Sequence, residues 1–133
     1  MIYHLIRETE TGLLTVVGLI NGSHRLKLIL DTGATVTTID SNVLYMSGFR
    51  PKNSVGTALV ETASGIIETD LYELETLRLF GITQENFVVQ AYDFLTHGIV
   101  SDYNGLLGID FFEGYKFCID MPTNELTITK KEI

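Results

Sequence analysis

The segment 28–34, Leu-Ile-Leu-Asp-Thr-Gly-Ala, constrains this chain more than any other. Its three apolar residues predict a buried strand, and Asp31 follows that strand directly. Because a buried carboxylate without partners is costly, Asp31 must either be held by hydrogen bonds or take part in chemistry. Thr32 brings a hydroxyl to the turn, and Gly33 lets a backbone or a ligand approach closely because it has no Cβ. Ala34 keeps the surface beside the turn small.

Apolar and polar residues alternate with a period of two over most of the chain, which predicts strands. Asn21-Gly22 predicts a hairpin turn, because both residue types tolerate positive φ. A helix is predicted over 42–47, capped by Asp40 or Ser41 and ended by Gly48. The predicted strands cover 2–7, 13–20, 25–30, 36–39, 57–61, 66–74, 76–80, 86–92, 115–120 and 126–129, with a loop at 51–54.

These elements predict one all-β domain over residues 1–133, a small closed β-barrel with one or two short helices. The hairpin formed by 57–61 and 66–74 has its tip at Thr62-Ala63-Ser64-Gly65. The hydrophobic content of 45% and the charged content of 20% are those of an ordinary globular protein, so the chain has enough apolar residues for a core.

Charge and residue usage exclude several classes of function. A net charge of −8 argues against a nucleic-acid partner, since such partners are held mainly through basic residues. No apolar run approaches the roughly 20 residues of a membrane helix, so we expect no membrane partner. The three histidines are scattered and share no ligand spacing, so no metal site is expected. Cys118 is the sole cysteine, which indicates a reducing, cytoplasmic setting and is typical of a buried core residue.

Three segments, in this order, resemble the retropepsin-like aspartic proteases over about residues 13–129. Asp31-Thr32-Gly33-Ala34 matches the catalytic turn of that family, and Thr62-Ala63-Ser64-Gly65 lies where its flap tip belongs. Gly105-Leu106-Leu107-Gly108, followed by Ile109-Asp110-Phe111-Phe112, matches the apolar strand, glycine and short helix, and looks like the cellular rather than the retroviral branch. Leu106, Leu107, Phe111 and Phe112 are expected mainly in the core, and Asp110 as a helix cap.

The resemblance implies an aspartic endopeptidase in which Asp31 is catalytic. Thr32 would hold two turns together across a dimer axis, while Gly33 and Ala34 would contact the polypeptide substrate. Ala63, Ser64 and Gly65 would form a flap that closes over that substrate, which would lie extended as an added strand.

The chemistry of this family requires two carboxylates about 3 Å apart that share one proton. Repulsion between two ionised carboxylates at that distance is about 5 kcal/mol at an effective dielectric constant of 20, so one of them keeps its proton. Only Asp31 lies in the required turn, so its partner is expected to be Asp31 of a second copy. The resemblance therefore implies a homodimer with its site on the twofold axis.

The chain departs from the retroviral pattern at two places. Thr35 and Val36 stand where retroviral enzymes carry acidic residues, and Ile109 stands where they carry an arginine. The retroviral dimer contacts and substrate preferences are therefore not expected here.

Three other hypotheses stay open at this point. Asp31 is alternatively a structural turn residue that accepts hydrogen bonds from nearby amides. The domain is alternatively a catalytically silent module of the same fold that binds peptides or dimerises. A small-ligand β-barrel unrelated to proteolysis would be monomeric, and its ligand binding would not depend on Asp31.

Overall fold

The computed structural model describes residues 1–99 and 102–130, and strands fill most of this part of the chain. The strands are β1 (Ile2–His4), β2 (Ile6–Arg7), β3 (Leu14–Ile20), β4 (His24–Leu30), β5 (Thr38–Asp40), β6 (Gly56–Thr62), β7 (Gly65–Leu79), β8 (Ile82–Tyr92), β9 (Gly105–Leu107), β10 (Tyr115–Asp120) and β11 (Glu125–Lys130). The helical elements are the α-helix α1 (Ser41–Met46) and two 3-10 helices, Pro51–Asn53 and Ile109–Phe112. The predicted all-β class with short helices is confirmed.

Strands of the larger sheet close into a ring in the order β3, β4, β9, β5, β8, β7 and back to β3. The pairing of β3 with β7 that closes the ring comprises two residue pairs, Leu19 with Arg78 and Ile20 with Leu77. Gly18 permits it, because a Cβ there would lie 2.8 Å from Leu79 Cγ. β2 and β6 attach to β3 and β7 outside this ring, so the sheet is ring-forming without being a regular barrel.

Strand β9 lies between β4 and β5, and this arrangement places the Asp31 turn. β4 and β9 run parallel, with Leu30 opposite Leu107, whereas β5 runs antiparallel to β9. The chain therefore leaves β4 through the Asp31 turn and returns as β5 on the other side of β9. As a result, the turn lies at the end of a strand in the interior of the sheet.

The hydrophobic core is enclosed by this ring and extends to the second sheet, as the buried residues show. Leu107 and Phe111 are fully buried and Phe112 is nearly so, as predicted, while Leu106 is only half-buried. The largest fully buried apolar side chains are Phe111, Ile20, Leu28, Ile39, Leu44, Leu74, Leu77, Leu79, Leu107 and Leu126.

The smaller sheet has the strand order β1-β11-β10. Its strand β10 carries Cys118, which was predicted to be buried in the core. Along β10, Tyr115, Phe117 and Ile119 are half-buried, and Phe117 stacks on Phe112 with 4.3 Å between ring centroids. Because side chains of a strand alternate between its two faces, Cys118 lies on the opposite face and is exposed. The prediction of a buried core cysteine was wrong.

Other predicted elements are largely confirmed at their expected positions. Helix α1 is capped by Asp40, whose Oδ1 accepts a hydrogen bond from the Asn42 backbone N–H at 3.2 Å. Gly48 follows the helix with φ of 100°. Asn21 and Gly22 have φ of 50° and 75°, as the predicted hairpin turn requires.

Several boundaries differ from the predictions, as in β8, which begins at Ile82 and not at 86. The structure gives a physical reason for three other differences. The strand predicted over 2–7 is interrupted at Leu5, which is buried and whose N–H donates to the Asn124 carbonyl at 2.8 Å. The separate strands predicted over 66–74 and 76–80 form one strand, because β8 pairs with β7 on both sides of residue 75. The predicted loop 51–54 contains a 3-10 helix, which Pro51 starts and in which Asn53 N–H donates to the Arg50 carbonyl at 2.7 Å.

Gly105 gives a direct test of how tightly β9 fits between its neighbours. A Cβ at Gly105 would lie 2.2 Å from the Thr38 carbonyl oxygen, whereas a Cβ at Gly56 would lie 3.8 Å from its nearest neighbour. We expect Gly105→Ala to lower the free energy of unfolding by about 3 kcal/mol or more, because backbone atoms must move. Gly56→Ala is the matched control, with an expected change within about 1 kcal/mol. Urea denaturation of both variants checks this, and equal effects would contradict it.

Candidate active site

The Asp31 turn is held by its own backbone and by β9. Asp31 N–H donates to the Leu107 carbonyl at 3.0 Å, and Ala34 N–H donates to the Asp31 carbonyl at 3.1 Å. Gly33 N–H donates to Asp31 Oδ1 at 3.0 Å. Within the described part of the chain, Asp31 Oδ2 accepts no hydrogen bond. Asp31 is half-buried, while Thr32 and Gly33 are exposed, so the turn presents one carboxylate oxygen and its own backbone outward.

The segment after the turn is fastened to the short helix that follows β9. Thr37 N–H donates to both carboxylate oxygens of Asp110 at 3.0 Å, and Thr37 Oγ1 donates to Asp110 Oδ1 at 2.7 Å. Thr37 Oγ1 in turn accepts from Gly108 N–H at 3.1 Å. Ile109 N–H donates to the Ala34 carbonyl at 2.9 Å. The turn and the helix Ile109–Phe112 therefore form one hydrogen-bonded unit.

The prediction that Asp110 caps the helix was wrong. The residue at the N-cap position is Gly108, which has no side chain to cap with, and Asp110 lies in the first turn of the 3-10 helix. Asp110 binds Thr37 of another segment, 73 positions away in sequence. Thr37 was not among the candidate residues, although the hydroxyl of a fully buried threonine requires a polar partner.

Ala63, Ser64 and Gly65 lie at the far end of the β6–β7 hairpin. Thr62 pairs with Gly65, Thr62 Oγ1 donates to the Gly65 carbonyl at 2.8 Å, and Gly65 has φ of 128°. All three tip residues are exposed. Residues 31–34 form one turn, and among the described residues no hydrogen bond joins the hairpin tip to that turn.

A cavity lies between strand β6 of the hairpin and the part of the larger sheet formed by β5, β8 and β9. Val60 and Thr62 of β6 line one side of it, and Thr38 of β5 and Leu106 of β9 line the other. Tyr103 also lines it. These residues were not predicted as a group, because they come from segments that only the closed ring brings together.

The strand that leads to Asp31 also carries a network of charged residues. Lys27 Nζ forms ion pairs with Glu8 and with Asp102, the latter at 3.0 Å. Hydrogen bonds to Glu8 and Asp102 raise the pKa of the Lys27 amine, and the bond from Lys27 lowers the pKa of the Asp102 carboxyl. Asn104, two residues after Asp102, binds the same strand: its side-chain oxygen accepts a hydrogen bond from the Lys27 backbone N–H at 2.7 Å.

No helix in residues 1–99 or 102–130 has the length and apolarity that crossing a membrane requires. In the same ranges, no three His, Cys, Asp or Glu side chains lie close enough together to hold a metal ion.

Solved structures similar to this chain share its fold. A retropepsin-like aspartic protease from Rickettsia conorii superposes with a TM-score of 0.69 at 21% identity, over 95% of this chain and 89% of that one. The EIAV protease complexed with the inhibitor HBY-793 gives a TM-score of 0.59 at 18% identity, over 81% of this chain and 92% of that one. The Simian foamy virus (mac) protease gives 0.52 at 26% identity, over 74% and 91%.

The fold is therefore the all-β retropepsin fold, with a polar turn at the end of an interior strand. A family model for aspartyl proteases matches residues 16–111, which include the Asp31 turn, both strands of the hairpin and most of the helix after β9. The chain belongs to the aspartyl protease family. Comparison with curated proteins gave no match.

We expect Asp110→Ala to lower the free energy of unfolding by about 3 kcal/mol, because it leaves the buried N–H and hydroxyl of Thr37 without their acceptor. Asp110→Asn keeps one acceptor oxygen, so a smaller loss of about 1 kcal/mol is expected. Glu113→Ala, an exposed carboxylate at the end of the same helix, is the control and should change stability by less than about 0.5 kcal/mol. Equal losses in Asp110→Ala and Glu113→Ala would show that the network contributes nothing.

Proposed function

We propose that this protein is an aspartic endopeptidase that acts as a homodimer, with Asp31 of each copy forming the catalytic pair. The observation that carries the proposal is the Asp31 turn, in which a carboxylate at the end of an interior strand keeps one oxygen without a hydrogen bond in the described chain. Membership of the aspartyl protease family over residues 16–111 supports the same reaction class.

A second copy is needed because one chain supplies one carboxylate of this kind. The strand parallel to β4 is β9, and Leu107 is the residue opposite Leu30. The residue that follows Leu107, in the place that corresponds to Asp31, is Gly108. The other nearby carboxylate, Asp110, is used by Thr37. Two copies related by a twofold axis would place two Asp31 turns side by side.

The proposed reaction is hydrolysis of a peptide bond by water. Two carboxylates about 3 Å apart share one proton, since both being ionised costs about 5 kcal/mol at an effective dielectric constant of 20. The ionised carboxylate takes a proton from a bound water, and the protonated one donates to the substrate carbonyl oxygen. The reaction as proposed uses water as the nucleophile and requires no metal or organic cofactor.

The remaining predicted residues have binding roles in this proposal. Thr32 and Gly33 are exposed beside Asp31, where Thr32 would contact the second copy and Gly33 the substrate backbone. Ala34 would line the floor of the site. The hairpin tip formed by Ala63, Ser64 and Gly65 would close over an extended substrate as a flap.

Asp31→Asn tests the catalytic role directly. Because an amide does not take a proton from water, we expect the variant to lose cleavage of a diverse peptide mixture by at least about 1,000-fold between pH 4 and 7. The matched control is Asp120→Asn on β10, which belongs to the other sheet and should leave cleavage unchanged. Mass spectrometry of the products gives the measurement, and cleavage that survives in Asp31→Asn would exclude this mechanism.

Mixed dimers test whether two chains share one site. A ninefold excess of Asp31→Asn protein should reduce the activity per wild-type chain by about tenfold, because most wild-type copies then pair with a chain that lacks the carboxylate. The same excess of Asp120→Asn protein, which retains Asp31, should cause no such loss. If the Asp31→Asn excess has no effect at concentrations where light scattering shows dimers, each chain acts alone.

A verified dimer that cleaves no peptide would support the alternative function, a silent module of the same fold. That module would bind peptides without hydrolysing them. Binding of peptides that is equal in wild type and Asp31→Asn would then be the expected result.

A further inference from the structure

A groove of about 320 Å³ lies beside strand β3, at a gap in the pairing of that strand. One edge of β3 pairs with β4, and the other edge pairs with β2 through residues 14–15 and with β7 through residues 19–20. Residues 16–18 therefore have no ladder partner on that second edge. The groove opens there, and its lining includes Val17 and the turn Phe80-Gly81 between β7 and β8.

Two arginines stand on either side of Leu19 in this groove, which we call the arginine groove. Arg25 of β4 and Arg78 of β7 are the residues paired with Leu19 on the two adjacent strands. Residues paired across strands share a face of the sheet, so all three lie on one face. The spacing of paired residues puts the Cα atoms of the two arginines roughly 10 Å apart. Both arginines line the groove and are exposed.

The guanidinium groups of Arg25 and Arg78 bind no partner within the described part of the chain. The other two arginines of the sequence, Arg7 and Arg50, both donate hydrogen bonds to the protein itself. Every ion pair of the described residues involves Lys27, although the chain has 17 acidic residues against 9 lysines and arginines. Because a guanidinium offers five N–H donors, the two free groups are available to an anionic ligand.

The floor of the arginine groove is apolar. Val17 and Leu19 lie on the same face of β3, because they are two positions apart. The side of the strand that they form is accessible, since Val17 is 40% exposed and Leu19 is only half-buried. Covering apolar surface of this kind is favourable. A ligand that fits the groove therefore carries an aliphatic group in its middle and an anionic group at each end.

We propose that the arginine groove docks an acidic, extended segment of another polypeptide, with one aliphatic side chain over Leu19 and a carboxylate on each arginine. Side chains two positions apart in an extended segment share a face, so the pattern acidic-x-aliphatic-x-acidic spans about 13 Å. Two long arginine side chains whose Cα atoms are roughly 10 Å apart can reach both carboxylates and bind each one bidentately. Arg25 lies six positions before Asp31, about 20 Å along the strand, so docking leaves the candidate catalytic turn open.

Titration of labelled peptides tests the charge and the shape of the groove. The probe is a fluorescent, C-terminally amidated peptide, Gly-Glu-Ser-Leu-Ser-Glu-Gly, titrated with Asp31→Asn protein so that it is not cleaved. We expect it to bind about tenfold more tightly than the same peptide with Gln at both Glu positions, because two charge-assisted contacts are lost. Replacing its Leu by Ala should weaken binding about threefold. About 500 mM salt should remove most of the preference for Glu. Equal binding of the Glu and Gln peptides overturns the proposal.

Charge-matched variants connect that preference to the groove. In the Asp31→Asn background, Arg25→Gln/Arg78→Gln should bind the Glu and Gln peptides equally. Lys52→Gln/Lys116→Gln removes the same charge at exposed positions that do not line the groove, and should keep the preference. Arg25→Lys/Arg78→Lys keeps the charge without the planar fork and should give an intermediate preference. If both Gln double variants lose the preference equally, general attraction to the protein's charge explains the binding and the groove does not. Circular dichroism verifies that each variant is folded.

Amide chemical shifts measured by NMR locate the bound peptide without changing the groove. In isotopically labelled Asp31→Asn protein, the Glu peptide should shift the amides of Val17 and Leu19 and leave that of Gly33 unchanged. Shifts confined to residues 31–34 would place the peptide at the candidate catalytic turn and overturn the proposal.

A second copy of this chain is the rival occupant of the arginine groove. Light scattering of wild type and of Arg25→Gln/Arg78→Gln distinguishes it. We expect both proteins to have the same oligomeric state, because the groove binds a different polypeptide. A dimer that only wild type forms would make the groove an interface between copies and overturn the proposal. Absence of binding of the Glu peptide at about 1 mM protein would also overturn it, whether or not Asp31 proves catalytic.

Discussion

The close fit of β9 between β4 and β5 is the constraint on which the candidate site depends. A Cβ at Gly105 would lie 2.2 Å from the Thr38 carbonyl oxygen, and a Cβ at Gly108 would lie 2.8 Å from the Val36 carbonyl carbon. Only glycine allows both approaches. Because β9 fits there, Leu107 accepts from Asp31 N–H, and the chain passes around β9 from one neighbour to the other.

The segment that follows the Asp31 turn is held by a second set of hydrogen bonds. Thr37 and Asp110 bind each other through three hydrogen-bond contacts, and Gly108 N–H donates to the same threonine hydroxyl. The segment after the turn is therefore held by residues just after β9, and the Asp31 carboxylate uses one oxygen, which accepts from Gly33 N–H within its own turn. A carboxylate that is positioned by its backbone and keeps one oxygen available is suited to acid–base chemistry.

The sequence predicted more of the fold than of the contacts at the site. The period of two located most strands, and Asn21-Gly22 and Gly48 located a turn and a helix end, because these depend on local conformational preferences. The role of Asp110 was missed, since its partner lies 73 positions away. The exposure of Cys118 was missed because alternation fixes which residues share a face but not which face meets the core. The cavity beside the β6–β7 hairpin combines residues of β5, β6, β8 and β9 with Phe94, Ile99 and Tyr103, which no local pattern relates.

By itself, the sequence determined the all-β class, the strand that ends at Asp31, and the identity of the turn residues that follow it. These properties follow from hydrophobic periodicity and from the backbone freedom of a few residues, both of which act over short distances. Only the tertiary structure decided that Asp110 holds Thr37 and that Tyr92, Phe94 and Tyr103 line one cavity. Those outcomes depend on pairing between distant strands, above all on β9 lying between β4 and β5, which brings together residues far apart in the chain.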